Sequence, residues 1–326
     1  MAASPIADLS YRNYDGPLDP PVNRWWAIAK MSMKLSTKKR GFWVWASMSA
    51  YWYLILLAIF YFMDQSAQAT TALGQQNPLF KAIEWKGQFI NAFSVSQLFM
   101  FILALMLGAG TIANDNRANA LLVYLSKPCS KLDYVIGKWL GIFIPMTLVV
   151  GAPTLVFYFY CLLSYRSYGF VSQDPWLIVR LCGMVLIPGF FHASASLGIS
   201  SLFQQGRLAG ATYAGFYFFG LFFTKAMQVI VSVDNMNAIN GNGPGAPTIV
   251  KNLYYCSVDG IQEALAKIFL NTDGSPLLPI QGPGGLQRVG IVSQPSGWVF
   301  IPAFFAICGL FMLLAWSRIR AVEVVG

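Results

Sequence analysis

The sequence predicts an all-α polytopic membrane protein: six transmembrane helices, an N-terminal interfacial helix and an amphipathic elbow on the cytoplasmic side. Three observations carry that expectation. The 326 residues are 56% hydrophobic and only 11% charged, where soluble domains carry about a quarter charged residues. The mean hydropathy is +0.54, and the apolar residues gather into runs of about 20, the length that crosses a hydrocarbon core as a helix. The Lys and Arg residues are asymmetric across those runs. Fourteen of the 22 fall on one side, counting Arg12, Arg24, Lys30, Lys34, Lys38, Lys39, Arg40, Arg117, Lys127, Lys131, Lys138, Arg207, Arg318 and Arg320. By the positive-inside rule that side is the cytoplasm, and it holds both termini.

Taken in order, residues 1–22 are a polar, Pro-rich cytoplasmic tail without the apolar core and cleavage site of a secretory signal. Residues 23–41 follow as an interfacial amphipathic helix. Asn23 is a candidate N-cap, and Lys30, Lys34 and Lys38 make one basic stripe beside Trp25 and Trp26. Lysines at headgroup level with indoles at the interface suit a helix lying on a lipid surface. The six-helix domain occupies 42–326, with spans expected at about 43–63, 92–113, 139–163, 178–202, 208–231 and 298–316. Pro145, Pro153 and Pro188 lie inside spans, where neighbouring helices can satisfy the freed carbonyls.

The elbow lies between the second and third spans, within 108–139. Leu121, Leu122 and Leu125, then Leu132, Val135, Ile136 and Trp139, recur at helical spacing as one apolar face. Asp115, Arg117, Lys127, Lys131, Asp133 and Lys138 occupy other faces. Pro128 splits the segment, and Ser130 with Asp133 is a capping-box start for its second half. The external segment 232–296 is Gly/Asn/Pro-rich. Asp259 and Gln262 are candidate caps for a short amphipathic helix carrying Ile261, Leu265, Ile268 and Phe269. That helix reads either as a lid over an outer vestibule or as interfacial packing.

Composition and motifs exclude much. The +9 net charge follows the membrane pattern rather than basic patches with stacking aromatics, so no nucleic acid is expected. There is no GxxxxGK[ST] loop, HExxH or GxSxG, so no catalytic residue is expected. The five cysteines (Cys129, Cys161, Cys182, Cys256, Cys308) form no metal-ligand cluster. They read as small apolar fillers, with a Cys161–Cys182 bridge at the outer face as the alternative. Charges and titratable groups within spans are costly and therefore candidate sites. His192, the one histidine, either lines a polar translocation path or is a neutral imidazole bonded to the next helix. Lys225 either snorkels outward or meets an anionic substrate. Small residues four apart, Gly137/Gly141 and Gly206/Gly210/Ala214, permit close helix approach.

The elbow resembles the membrane subunit of ABC-2 type exporters, on Gly110, Ile112, Ala113, Asp115, Arg117, Ala120, Leu121, Leu122, Ser126, Lys127, Pro128, Ser130, Tyr134, Gly137 and Lys138. The layout is similar too: an interfacial helix, six spans and a long outer segment before the last. The resemblance implies a permease subunit of the bacterial inner membrane, paired with a second permease copy on two cytoplasmic ATPase subunits. It makes 114–138 the coupling segment, with Asn114, Asp115, Arg117, Leu121, Leu122, Leu125 and Lys127 as the contact residues. ATP and Mg²⁺ would then sit on the partner and no cofactor in this chain; periplasmic partners are compatible with the layout. The chain departs from the family in its long polar tail and in an outer segment more polar than the usual re-entrant hairpin. Two other classes are the alternatives: a membrane scaffold that moves nothing, and an ion-driven transporter, for which inverted repeats and intramembrane carboxylates are missing.

Overall fold

The computed structural model describes residues 23–71, 83–118, 130–240, 244–276 and 290–319. All regular structure among them is helical, and six helices are long and apolar enough to cross a membrane. In chain order the elements are α1 (Arg24–Thr37), α2 (Arg40–Thr71), α3 (Trp85–Gly108), α4 (Ala113–Arg117), α5 (Lys131–Ser164), α6 (Phe170–Gln173), α7 (Leu177–Ser200), α8 (Gly206–Ile239), α9 (Thr248–Tyr254), α10 (Val258–Leu270) and α11 (Gly297–Arg318). The spanning helices are α2, α3, α5, α7, α8 and α11. The tail 1–22 lies outside the described residues, as do 119–129 and with them Leu121, Leu122, Leu125, Lys127 and Cys129.

Helix α1 ends at Thr37, four residues short of the expected end at 41, and Asn23 makes no side-chain cap bond. It docks on the start of α5 at two glycines. A Cβ on Gly137 would lie 2.7 Å from the Trp25 carbonyl and from Ile28, and one on Gly141 would lie 2.5 Å from Ser32. Ala29 is fully buried between them, while Trp26, Met31 and Leu35 remain exposed. The helix thus has one face for the bundle and an amphipathic remainder, with Lys30 and Lys34 exposed beside Trp26, Met31 and Leu35.

Helix α3 starts at Trp85, seven residues before the expected 92, because its polar first turns find partners. Trp85 stacks on Tyr165 at 5.1 Å. Lys86 pairs with Asp174 at 2.9 Å, and the Gln88 amide donates to Ser275 Oγ and to the Pro276 carbonyl. Buried polar groups are tolerated when bonded. Helix α8 runs to Ile239, eight residues past the expected 231.

The 165–176 connection is held by Asp174, which accepts from the Trp176 N–H and also pairs with Arg180 at 3.3 Å. Burial works against its charge, but the Lys86 and Trp176 bonds and the two cations outweigh it, holding the carboxyl below the usual carboxylate range. A lowered folded pKa stabilises fully above the unfolded value of about 3.9 and is lost as pH falls through the lower folded one. Asp174→Asn is expected to cost about 2–4 kcal/mol at neutral pH, since it strands Lys86, whose side chain is 17% exposed. A melting-temperature comparison at pH 7 checks it, and the gap between variant and parent should narrow at strongly acidic pH.

The four described cysteines, Cys161, Cys182, Cys256 and Cys308, are free thiols, so the alternative of a Cys161–Cys182 bridge is set aside. Cys161 is buried in the core and Cys182 faces outward from α7, which directs the two side chains apart.

The outer segment differs most from expectation. It does not stay outside as a polar connection: α9 descends along α8 and α10 returns, forming a re-entrant hairpin between α3, α7, α8 and α11. A Cβ on Gly220 would meet Ser257 at 3.3 Å, and Gly220 lies about 21 Å along α8 from Gly206. The hairpin tip therefore reaches deep between the spans. Ser257, not Asp259 or Gln262, caps α10, its hydroxyl accepting from the Gly260 N–H. Asp259 and Gln262 are instead turned to neighbouring helices. Ala264, Leu265, Ala266 and Leu270 are buried, so α10 is part of the core rather than a removable lid.

Candidate functional site

Three places bring polar residues together. The first is the elbow. Helix α3 breaks after Gly108, and the break is clamped by one hydroxyl at the end of α7. Ser200 Oγ donates to the Ala109 carbonyl at 2.9 Å and accepts from the Ile112 and Ala113 N–H groups at 3.1 and 3.0 Å. A sharp turn otherwise leaves such backbone groups unbonded, so this satisfaction fixes its angle. Helix α4 is then braced to α5. Asp115 accepts from the Tyr134 hydroxyl at 2.7 Å and pairs with Lys138 at 2.8 Å.

The capping box read from sequence is formed. Ser130 Oγ accepts from the Asp133 N–H, and the Asp133 carboxylate accepts from the Ser130 N–H. It starts a helix of 34 residues that runs unbroken through Pro145 and Pro153. Lys131 lies 4.6 Å over the Trp316 ring, tying the start of α5 to the end of α11. Asn114 and Arg117 line a cleft of about 710 Å³ together with Lys39 and Arg207, under Gly110 and Gly206. A Cβ on Gly206 would lie 2.9 Å from Gly110 Cα. Of the expected elbow residues, then, Asn114, Asp115 and Arg117 are gathered at the ends of α3, α7 and α8. Leu121, Leu122, Leu125 and Lys127 are outside the described residues.

The second place is the hairpin tip. His192 is fully buried. Its Nδ1 is 2.6 Å from the Tyr213 hydroxyl, and its Nε2 is 3.5 Å from the Gln262 amide nitrogen. Both ring nitrogens face a neighbouring helix, and His192 lines none of the open clefts described here. Tyr217 donates to Asp259 Oδ2 at 2.8 Å and stacks flat on Phe101 at 3.7 Å. Thr224 is hydrogen-bonded to Ser257. Tyr213, Tyr217 and Thr224 are spaced four and seven apart, hence on one face of α8. Their role was missed in the sequence because all three sit within an apolar run and their partners, His192 on α7 and Asp259 and Ser257 at the start of α10, lie 21 to 42 residues away.

The third place is an open cleft of about 420 Å³ between α3, α8 and α10, and it contains Lys225. Lys225 is exposed at its rim and donates to Gln228 at 3.2 Å. Among the described residues no group of His, Cys, Asp and Glu could hold a metal ion.

No curated protein matches the chain. Residues 26–276 match the family model described as ABC-2 family transporter protein, which covers most of α1, all of α2 through α10 and more than three-quarters of the chain. The match takes in the interfacial helix, the first five spans, the elbow and the hairpin. With a six-helix membrane bundle carrying that elbow, this chain belongs to the ABC-2 family of transporter proteins.

Proposed function

We propose that the chain is the permease subunit of an ABC-2 type transporter, itself non-catalytic, and that its elbow couples ATP hydrolysis by a partner ATPase to export or to a mechanical change across the membrane. The observation that carries the reading is the pinning of the elbow. Asp115 ties α4 to α5, and Ser200 ties the α3–α4 break to α7. A displacement of the elbow is thereby passed to three spanning helices rather than absorbed in a loop. Helix α5, about 51 Å long, is a rod able to carry that displacement across the bundle. It packs along α7, whose His192 touches the hairpin tip, so motion at one end reaches the other through contiguous packing.

In this reading the elbow and both termini lie in the cytoplasm of a bacterium, and the protein sits in the inner membrane. ATP and Mg²⁺ are held by ATPase subunits, and a second permease copy completes the membrane part. The expected contact residues are Asn114, Asp115, Arg117, Leu121, Leu122, Leu125 and Lys127.

Replacing both Leu121 and Leu122 by Asp tests this. Two carboxylates on the apolar stripe should abolish co-purification of the ATPase and stimulated ATP hydrolysis, while the permease itself stays in the membrane. An unchanged complex with unchanged activity would sink the coupling role. Span rearrangement between vanadate-trapped and nucleotide-free complexes separates a transporter from a static scaffold, which should show none.

A further inference from the structure

The cleft between α3, α8 and α10 holds buried polar atoms that have no partner among the described residues. Gln97, on α3, is 2% exposed, and neither its amide nitrogen nor its amide oxygen has a partner. Ser94 Oγ, one turn earlier on the same helix, and Asp259 Oδ1, across the cleft on α10, are likewise buried and unbonded. All three residues line the same space. Leaving such groups unbonded away from water is costly, so a cluster of them calls for an occupant.

The rest of the wall is already committed. Glu263 accepts from the Tyr254 hydroxyl at 2.8 Å and pairs with Lys267 at 2.8 Å. Lys267 spends its remaining donors on the Tyr255 hydroxyl and the Val292 carbonyl. Those two charges cancel. What remains is the buried Asp259 carboxylate, the Asp273 carboxylate, which accepts from the Gln294 N–H, and the Lys225 ammonium at the exposed rim. Three inward acceptors (Asp259 Oδ1, Gln97 Oε1 and Ser94 Oγ) match the three N–H donors of a primary ammonium. A cation at the rim suits an anionic group a few bonds behind it.

We infer that this cleft binds a zwitterion that leads with a primary ammonium and carries an anion behind it, the ammonium on Asp259, Gln97 and Ser94 and the anion on Lys225. Phosphoethanolamine has that chemistry, either free or as a lipid headgroup. The site deepens the transport reading by naming a substrate class, and binding to it requires neither ATP nor a partner.

The test is binding of O-phosphoethanolamine to the full chain in phosphatidylcholine nanodiscs, with phosphocholine as the control that keeps the charges but has no N–H donors. O-phosphoethanolamine should bind and phosphocholine should not. Gln97→Leu should weaken binding by roughly tenfold or more, the worth of a charge-assisted hydrogen bond. Lys225→Ala, at an exposed position with little bearing on folding, should weaken O-phosphoethanolamine but leave ethanolamine unchanged. Equal binding of phosphocholine, no binding at all, or indifference to both substitutions overturns the assignment. Discs containing phosphatidylethanolamine then identify the source: competition with the soluble probe marks the lipid headgroup, and its absence marks the free compound. Because these readouts contain no ATPase, their failure is separate from failure of the coupling reading.

Discussion

Gly137→Leu combined with Gly141→Leu should detach α1 from the bundle. At Gly137 the first added carbon already lies 2.7 Å from the Trp25 backbone oxygen, and at Gly141 it lies 2.5 Å from Ser32 Cβ. The first of these contacts is backbone, so no rotamer change relieves it. Overpacking of this kind costs about 1–3 kcal/mol per site, and the two glycines sit one turn apart under the same helix. The expected result is a large loss of thermal stability in detergent and faster proteolytic cleavage between α1 and α2, where Lys38 and Lys39 are exposed and the backbone around them is no longer held. Gly141→Ala alone should already destabilise, because Ser32 Cβ is fixed by its own backbone and no rotamer change moves it. If the double variant melts with the parent and resists cleavage, α1 is not held by this seam.

Tyr217→Phe should destabilise the hairpin nearly as strongly. The hydroxyl is the hydrogen-bond donor to Asp259 Oδ2, and Oδ1 of the same carboxylate has none among the described residues. Removing the donor leaves a buried carboxylate short of partners, a cost of about 2–3 kcal/mol for a bond to a charged group. The ring itself is retained, so its stacking on Phe101 is unaffected. Adding Asp259→Asn should recover part of the loss, since a neutral amide is less costly to bury unpaired. Melting curves of the parent, both single variants and the double variant measure this coupling. Strict additivity would show that the two groups do not interact.

How much of this was legible beforehand differs from element to element. The six spans could be placed from the apolar runs, because a membrane imposes their length on any sequence. The Ser130–Asp133 cap was legible because both partners lie within four residues. Other features were not. The start of α3 at Trp85 depends on Asp174 and Ser275, which are distant in sequence. The outer segment looked too polar to enter the bundle, yet Lys267, Gln262, Asp259 and Ser257 each meet a partner there. Asp259 and Gln262 looked like helix caps, and their spacing gives no hint that Tyr217 and His192 wait for them.

The sequence by itself determined that the chain crosses a membrane six times, that an amphipathic elbow joins the second and third spans, and that the elbow carries family-like residues. Those properties rest on local hydropathy, spacing and nearest-neighbour bonds. Only the tertiary structure decided that the outer segment re-enters the bundle, that Ser200 and Asp115 anchor the elbow, and that unsatisfied polar atoms from α3 and α10 share one cleft. The reason is physical. A polar group's cost of burial is set by the partner it meets, and these partners lie on helices that hydropathy and spacing cannot bring together.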